Sequence, residues 1–224
     1  IYEFQKKDDV LVLGPSMKNI IKDAKGEIIH ADIKNIPKDW KIKLQGKHNL
    51  ENISCALEVV QILNVPEQIT KKVVENFNAI PGRLELVKTI KGVDIYNDTN
   101  SCTPEATSAA LLALGNKNKN IILIMGGSDK NLDFHNLFKD IKKYVKYVVL
   151  ISGNGTDRIM SDLKKIKDVN IYKEENFKKV ISKAYSLAEF GDILLFSPAF
   201  TSFGMFANEY DRGDKFMKIV KNLI

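Results

Sequence analysis

Four segments carry side chains that can bind or polarise a substrate, and three of them follow apolar runs that read as strands. In NDTNSCTPEAT, Asp98 leaves such a run, where a carboxylate can accept hydrogen bonds from ribose hydroxyls or hold a hydrated metal ion. Thr103 and Pro104 of that segment suit the cap and first turn of a helix, so a purely structural role is open for Thr103. In MGGSDKNLDF, two glycines let the backbone approach a ligand. Lys130 then offers a point charge for a carboxylate, ahead of a helix whose first turn is expected to hold Asp133; a solvated loop lysine is the plain alternative. In FSPAFTSFGMFANEYDRGDKF, Ser197, Thr201 and Ser202 precede a helix expected from about Phe203, and hydroxyls beside free helix amides form a carboxylate pocket. Phe203, Phe206 and Phe216 fit the buried stripe of that helix.

The fourth segment is QGKHNLENI. Asn49 and Asn52, three residues apart, share a helix face, and each carboxamide offers the donor and acceptor that an adenine edge requires. Alternatively Asn49 caps the helix and Asn52 faces water. Arg83, at the end of IPGR, is placed to bridge phosphates, or is a lone surface arginine. Gly153 and Gly155 in SGNGTDRI form a GxG that raises a dinucleotide-binding oxidoreductase as a rival, but the third glycine of that fingerprint is missing. Cys102 paired with His48 or His135 is a weak nucleophile candidate, because no spacing brings them together. His30 in EIIHADI reads as a partly buried strand residue.

These groups need a scaffold, and the apolar pattern supplies one. After Arg83 the chain reads LELVKTI, a Lys91-Gly92 turn and VDIYNDT, an antiparallel hairpin. The runs IILIM, YVVLI, NIY and ILLF then alternate with helical segments, which predicts an α/β, Rossmann-like doubly wound domain over 81–224. Its sheet is mainly parallel with one antiparallel hairpin strand, and ligands bind at the carboxyl ends of the strands. Residues 1–80 read as a second unit. DVLVL, EIIHADI and WKIKLQG are β-type runs; NLENISCALEVVQIL is a helix burying Ile53, Ala56, Leu57, Val60 and Leu63; another helix follows Pro66, and Asn78 to Pro81 form a linker. The upstream unit looks like the tail of a sheet-containing domain, and the chain is expected to begin inside a larger protein.

Composition narrows the classes. The net charge is +6, but of 34 basic residues only Arg83, Arg158 and Arg212 are arginines, and the lysines are scattered among acidic neighbours, so no nucleic-acid patch is expected. No run approaches the roughly 18 apolar residues of a membrane span. Cys55 and Cys102 are too few for a disulfide framework or a zinc site, and free thiols in a reducing cytoplasm are expected.

Taken in order, HNLENI, IPGRLE, NDTNSCTPEAT, GGSDKNLDF and SPAFTSFGMFANEYDRG resemble the Mur ligase family, and within it the ligases that add D-glutamate to UDP-N-acetylmuramoyl-L-alanine in peptidoglycan synthesis. The likeness runs from about Val10 to the C-terminus and implies that residues 1–80 are the end of the family's central ATP-binding domain and 81–224 its C-terminal amino-acid-binding domain. It implies ATP contacts at Asn49, Asn52, Arg83 and Asp98, and amino-acid contacts at Lys130, Ser202 and Phe203, with Asn100 and Cys102 standing where the family commonly has a lysine and a threonine near substrate. The histidine frequent before the linker arginine is Gly82. The implied chemistry is ATP-dependent amide formation through an acyl phosphate, with Mg2+, by a monomer. No residue of the chain is assigned a catalytic role or a metal ligand, and no GxxxxGK followed by Ser or Thr is present, so the phosphate loop, the carbamylated lysine and the UDP-sugar site are expected upstream. Another Mur ligase, a folylpolyglutamate synthetase or a non-catalytic amino-acid-binding module remain alternatives.

Overall fold

The computed structural model describes residues 2–17, 21 and 24–223, in two compact units, 1–78 and 79–224. In the first, β1 (Val10–Leu13) pairs in parallel with β2 (Glu27–His30), Val10 opposite Glu27. Helices α1 (Lys47–Ile62) and α2 (Glu67–Asn76) follow, and Ile36, Trp40, Ile53 and Leu57 form the core between them.

Three expectations for this unit are corrected. WKIKLQG alternates in burial as a strand would, but it joins no ladder. Trp40 sinks into the helical core with Ile42 and Leu44 against it, while the Lys41 amide donates to Glu75 of α2 at 2.9 Å, so the period of two serves packing on helices. On α1, Ala56 and Leu63 face outward and Ser54 is buried instead, its hydroxyl donating to the Glu51 carbonyl. His30 ends its strand exposed.

The second unit is a six-stranded sheet with helices on both faces. Its strands are β3 (Glu85–Ile90), β4 (Val93–Asn97), β5 (Ile121–Gly126), β6 (Val145–Ile151), β7 (Asn170–Glu174) and β8 (Ile193–Phe196). Their order is β3-β4-β8-β5-β6-β7; β3 and β4 are antiparallel and every other pair is parallel. Lys91 and Gly92 both take positive φ, 51° and 78°, the geometry of a two-residue turn that matches strand twist.

Both faces are covered, which explains the unbroken apolar strands. Along β5, Ile121, Leu123 and Met125 face α3 (Pro104–Leu114), α4 (His135–Tyr144) and α5 (Asn154–Leu163). Ile122 and Ile124 face α6 (Phe177–Ser186) and α7 (Glu209–Lys221). The chain steps outward from β4 through β5 and β6 to β7, then crosses back to insert β8 between β4 and β5. Asn97 and Ile124 both stand opposite Phe196, so the loops leaving β4, β8 and β5 converge where the strand order reverses.

Candidate functional site

The loop after β4 begins at Asp98, which is 5% exposed. One carboxylate oxygen accepts from the Leu84 amide at 3.0 Å, and the other accepts from the hydroxyls of Ser101 at 2.5 Å and Ser197 at 2.8 Å. Burial pushes this carboxyl up to about 6, while the two hydroxyls, the amide and the Arg83 charge hold it from going higher. Asp98 therefore fastens the hairpin start, its own loop and the loop after β8. Three of its roughly four acceptor sites are taken by the chain itself, and Arg83 stands exposed close by.

The same loop explains two departures from the family pattern. Asn100 turns back on the linker, its side-chain amide donating to the Pro81 carbonyl at 3.3 Å and its backbone amide to Gly82 at 3.0 Å. Gly82 has φ 74°, and a Cβ there would lie 2.8 Å from Thr99 and 3.1 Å from the Asn100 amide. A side chain at 82 would be strained by this φ and would require Thr99 and Asn100 to shift. Thr103 accepts the Ala106 amide and Pro104 opens α3, so the capping role is real.

The loops after β5 and β8 are laced together. Ser128 and Thr201 form an antiparallel bridge, the Thr201 hydroxyl donates to the Ser128 carbonyl at 3.0 Å, and the Ser128 hydroxyl donates to the Phe203 carbonyl. Gly127, at φ 143°, permits this approach, since a Cβ would meet the Thr201 carbonyl oxygen at 2.4 Å. Gly153 and Gly155 serve the same packing: Cβ atoms on them would lie 2.5 Å from the Gly127 oxygen and 2.6 Å from the Phe200 ring. Close approach of α5 to this loop accounts for that GxG.

Between these loops lies a cavity of about 470 Å³, bordered by Gly127, Ser128, Asn154, Ser202, Phe203 and Arg212. Ser202 is 4% exposed, and its hydroxyl has no hydrogen-bond partner among the described residues. Arg212 is completely buried. It donates to the Thr99 carbonyl at 2.6 Å, the Thr99 hydroxyl at 3.1 Å, the Phe200 carbonyl at 3.0 Å and the Cys102 sulfur at 3.3 Å, but it forms no ion pair among the described residues. The Ser202 hydroxyl is thus open to the cavity, whereas the Arg212 guanidinium is turned to the chain's own carbonyls.

Sequence reasoning passed over Arg212, although a signal was present. With Phe216 and Val220 it repeats every four residues along the buried stripe of α7, and it is one of three arginines in a lysine-rich chain. The helix also starts later than expected. Gly204 has φ 93°, and Asn208 caps α7 by accepting the Asp211 amide, so Ser202 and Phe203 lie in a loop ahead of α7 and not at its first turn. Phe203 is 65% exposed instead of core, whereas Phe206 and Phe216 are buried. Asp133 precedes α4 and accepts the His135 amide.

Of the expected amino-acid contacts, Ser202 and Phe203 border the cavity and Cys102 touches its Arg212 wall. Lys130 lies outside the lining, exposed, two residues beyond Ser128, and Asn100 points to the linker. Asn49 and Asn52 belong to α1 of the first unit. Asn49 is inside the helix and donates to the Gln45 carbonyl at 2.7 Å instead of capping it, and Asn52 is exposed. Both cysteines are free, and among the described residues no group of three His, Cys, Asp or Glu side chains is arranged to hold a metal ion. No described helix is long and apolar enough to cross a membrane.

A doubly wound α/β domain with a cavity at its strand carboxyl ends has the architecture of a small-molecule-binding domain. Residues 82–200 match the family described as Mur ligase, glutamate ligase domain, and the chain belongs to that family. It is 33% identical to the UDP-N-acetylmuramoylalanine–D-glutamate ligase of Clostridium perfringens, over all of this chain and 54% of that protein. The chain thus spans about half the length of the curated relatives it matches. Its fold is shared with the MurF ligase of Thermotoga maritima in complex with ADP, with a TM-score of 0.67 at 19% identity over 97% of this chain and 55% of that one. It is shared too with the folylpolyglutamate synthase of Mycobacterium tuberculosis, with a TM-score of 0.66 at 15% identity over 95% and 55%.

Proposed function

We propose that this chain is the C-terminal portion of a cytoplasmic, monomeric ligase that joins D-glutamate to UDP-N-acetylmuramoyl-L-alanine at the expense of ATP. The observation that carries the proposal is the cavity at the strand carboxyl ends bordered by Ser202 and Phe203, with a Ser202 hydroxyl that has no hydrogen-bond partner among the described residues. The likeness to named D-glutamate ligases along the chain supports D-glutamate as the amino acid.

In this reaction an oxygen of the acceptor carboxylate attacks the γ-phosphorus and ADP departs. The deprotonated nitrogen of the amino acid then attacks the acyl carbon, and phosphate leaves. The chain's contribution is orientation and charge. Ser202, the backbone at Phe203 and the Lys130 ammonium hold the carboxylates of the incoming amino acid, with Cys102 behind the pocket wall against Arg212. In the first unit Asn49 and Asn52 offer carboxamides suited to an adenine edge; in the second, Arg83 offers charge for phosphates and the remaining acceptor site of Asp98 suits a ribose hydroxyl. Mg2+ would enter with the nucleotide and neutralise charge on its phosphates.

The test is phosphate release by the full-length protein on UDP-N-acetylmuramoyl-L-alanine with D-glutamate, L-glutamate or D-aspartate. Selective release with D-glutamate is expected. Turnover with another amino acid overturns the assignment of substrate, and ATP turnover by these 224 residues alone overturns the division of labour with an upstream phosphate loop.

A further inference from the structure

Lys130 makes no hydrogen bond or ion pair among the described residues, so its backbone alone decides where its ammonium can reach. That backbone is gripped on both sides by one side chain. Arg158 of α5 pairs through Nε with the Asp129 carboxylate at 2.7 Å, and its Nη2 donates to the Leu132 carbonyl at 2.9 Å. Its guanidinium also lies 5.5 Å from the centre of the Phe134 ring.

The other connections tighten the same span. The second Asp129 oxygen accepts the Asn131 amide at 2.8 Å, closing a turn in which Asn131 takes φ 56°. The Asp129 amide donates to Asn154, one helical turn before Arg158 on α5, at 3.1 Å. The start of α5 is itself fixed to the sheet, with Thr156 donating to the Ile151 carbonyl at 2.6 Å and the Gly155 amide donating to Gly127 at 3.1 Å.

We propose that Arg158 is a positioning residue that sets Lys130 for the carboxylate of the incoming amino acid. The inference rests on the assignment of Lys130 to that carboxylate. The residue type supports it: a planar fork serves a carboxylate and a carbonyl together while its face meets a ring, which a single ammonium does not do, and the chain uses lysine at all but three of its basic positions. The arginine acts on geometry without touching substrate.

The experiment is steady-state kinetics of the full-length protein with Arg158→Lys, Arg158→Ala, Lys130→Ala and the Arg158→Ala/Lys130→Ala double variant, each checked by thermal melting. Both Arg158 variants are expected to raise KM for D-glutamate about tenfold while leaving KM for ATP and kcat within about twofold. In the Lys130→Ala background, loss of Arg158 is expected to add nothing, since the two act through one contact. Additive effects, or an unchanged KM in Arg158→Ala while Lys130→Ala raises it, overturn the inference and leave the proposed function standing. An unchanged KM in Lys130→Ala removes the assignment of Lys130, and the inference with it. If Arg158→Ala melts too low to assay, Asp129→Asn loosens the same clamp and carries the same KM prediction.

Discussion

The Arg212 guanidinium donates to the backbone carbonyl of Thr99 at 2.6 Å from a helix 113 residues further along the chain. The same side chain holds the Phe200 carbonyl, so one buried cation ties the loop after β4 to the loop after β8. Arg212→Lys cannot supply the fork, and it leaves at least one buried carbonyl without its donor. The expected loss is about 2–4 kcal/mol of stability, read from urea unfolding. A loss under about 0.5 kcal/mol would mean that the loops are held by other contacts.

Thr103 offers a contrast on the same loop. Its hydroxyl accepts the Ala106 amide at 3.3 Å and has no other partner among the described residues. Thr103→Ala should cost about 1 kcal/mol in unfolding experiments and leave KM for ATP and for the amino acid unaltered. A change in either KM would assign the hydroxyl to substrate.

Gly153 tests why a GxG stands at the start of α5. A Cβ at this position would lie 2.5 Å from the Gly127 oxygen, a backbone atom fixed by the Gly155 amide. Gly153→Ala is expected to destabilise the protein by about 2 kcal/mol or more and to raise KM for D-glutamate, because the displaced loop carries Ser128 and Lys130. NADH binding by calorimetry that is lost in this variant would instead support dinucleotide recognition.

Much of the scaffold was legible because its signals are local. The continuous apolar runs of β5, β6 and β8 require burial on both faces, Lys91-Gly92 dictates a hairpin turn, and Thr103-Pro104 announces a helix. What escaped depends on partners distant in sequence. The alternation of Trp40, Ile42 and Leu44 fits a sheet face or a helix surface equally, and only the tertiary fold decides. The aromatic spacing from Phe203 suggested a helix, but Gly204 and the Asn208 cap move its start to Glu209. Asp98 was conspicuous as a strand-exit carboxylate, yet its three donors come from residues 84, 101 and 197, which no spacing reveals.

That donor set gives Asp98 a pH signature. Its carboxyl titrates near 6 in the folded protein against an ordinary value of 3.8. Between those values the folded protein holds the proton and the unfolded chain has released it, so this group's contribution is fully present below pH 3.8, falls as pH rises to 6, and is level above. The span corresponds to about 3 kcal/mol. Asp98→Asn keeps the shape and an acceptor for the Leu84 amide but does not titrate. Compared with that variant, the unsubstituted protein should gain about 2 to 2.5 kcal/mol as the pH is lowered from about 7 to about 4, a difference in which all other groups cancel. Urea unfolding of both proteins across this range measures it directly. A pH-independent difference would mean that the carboxylate keeps its proton affinity unchanged on folding, and that the three donors offset its burial completely.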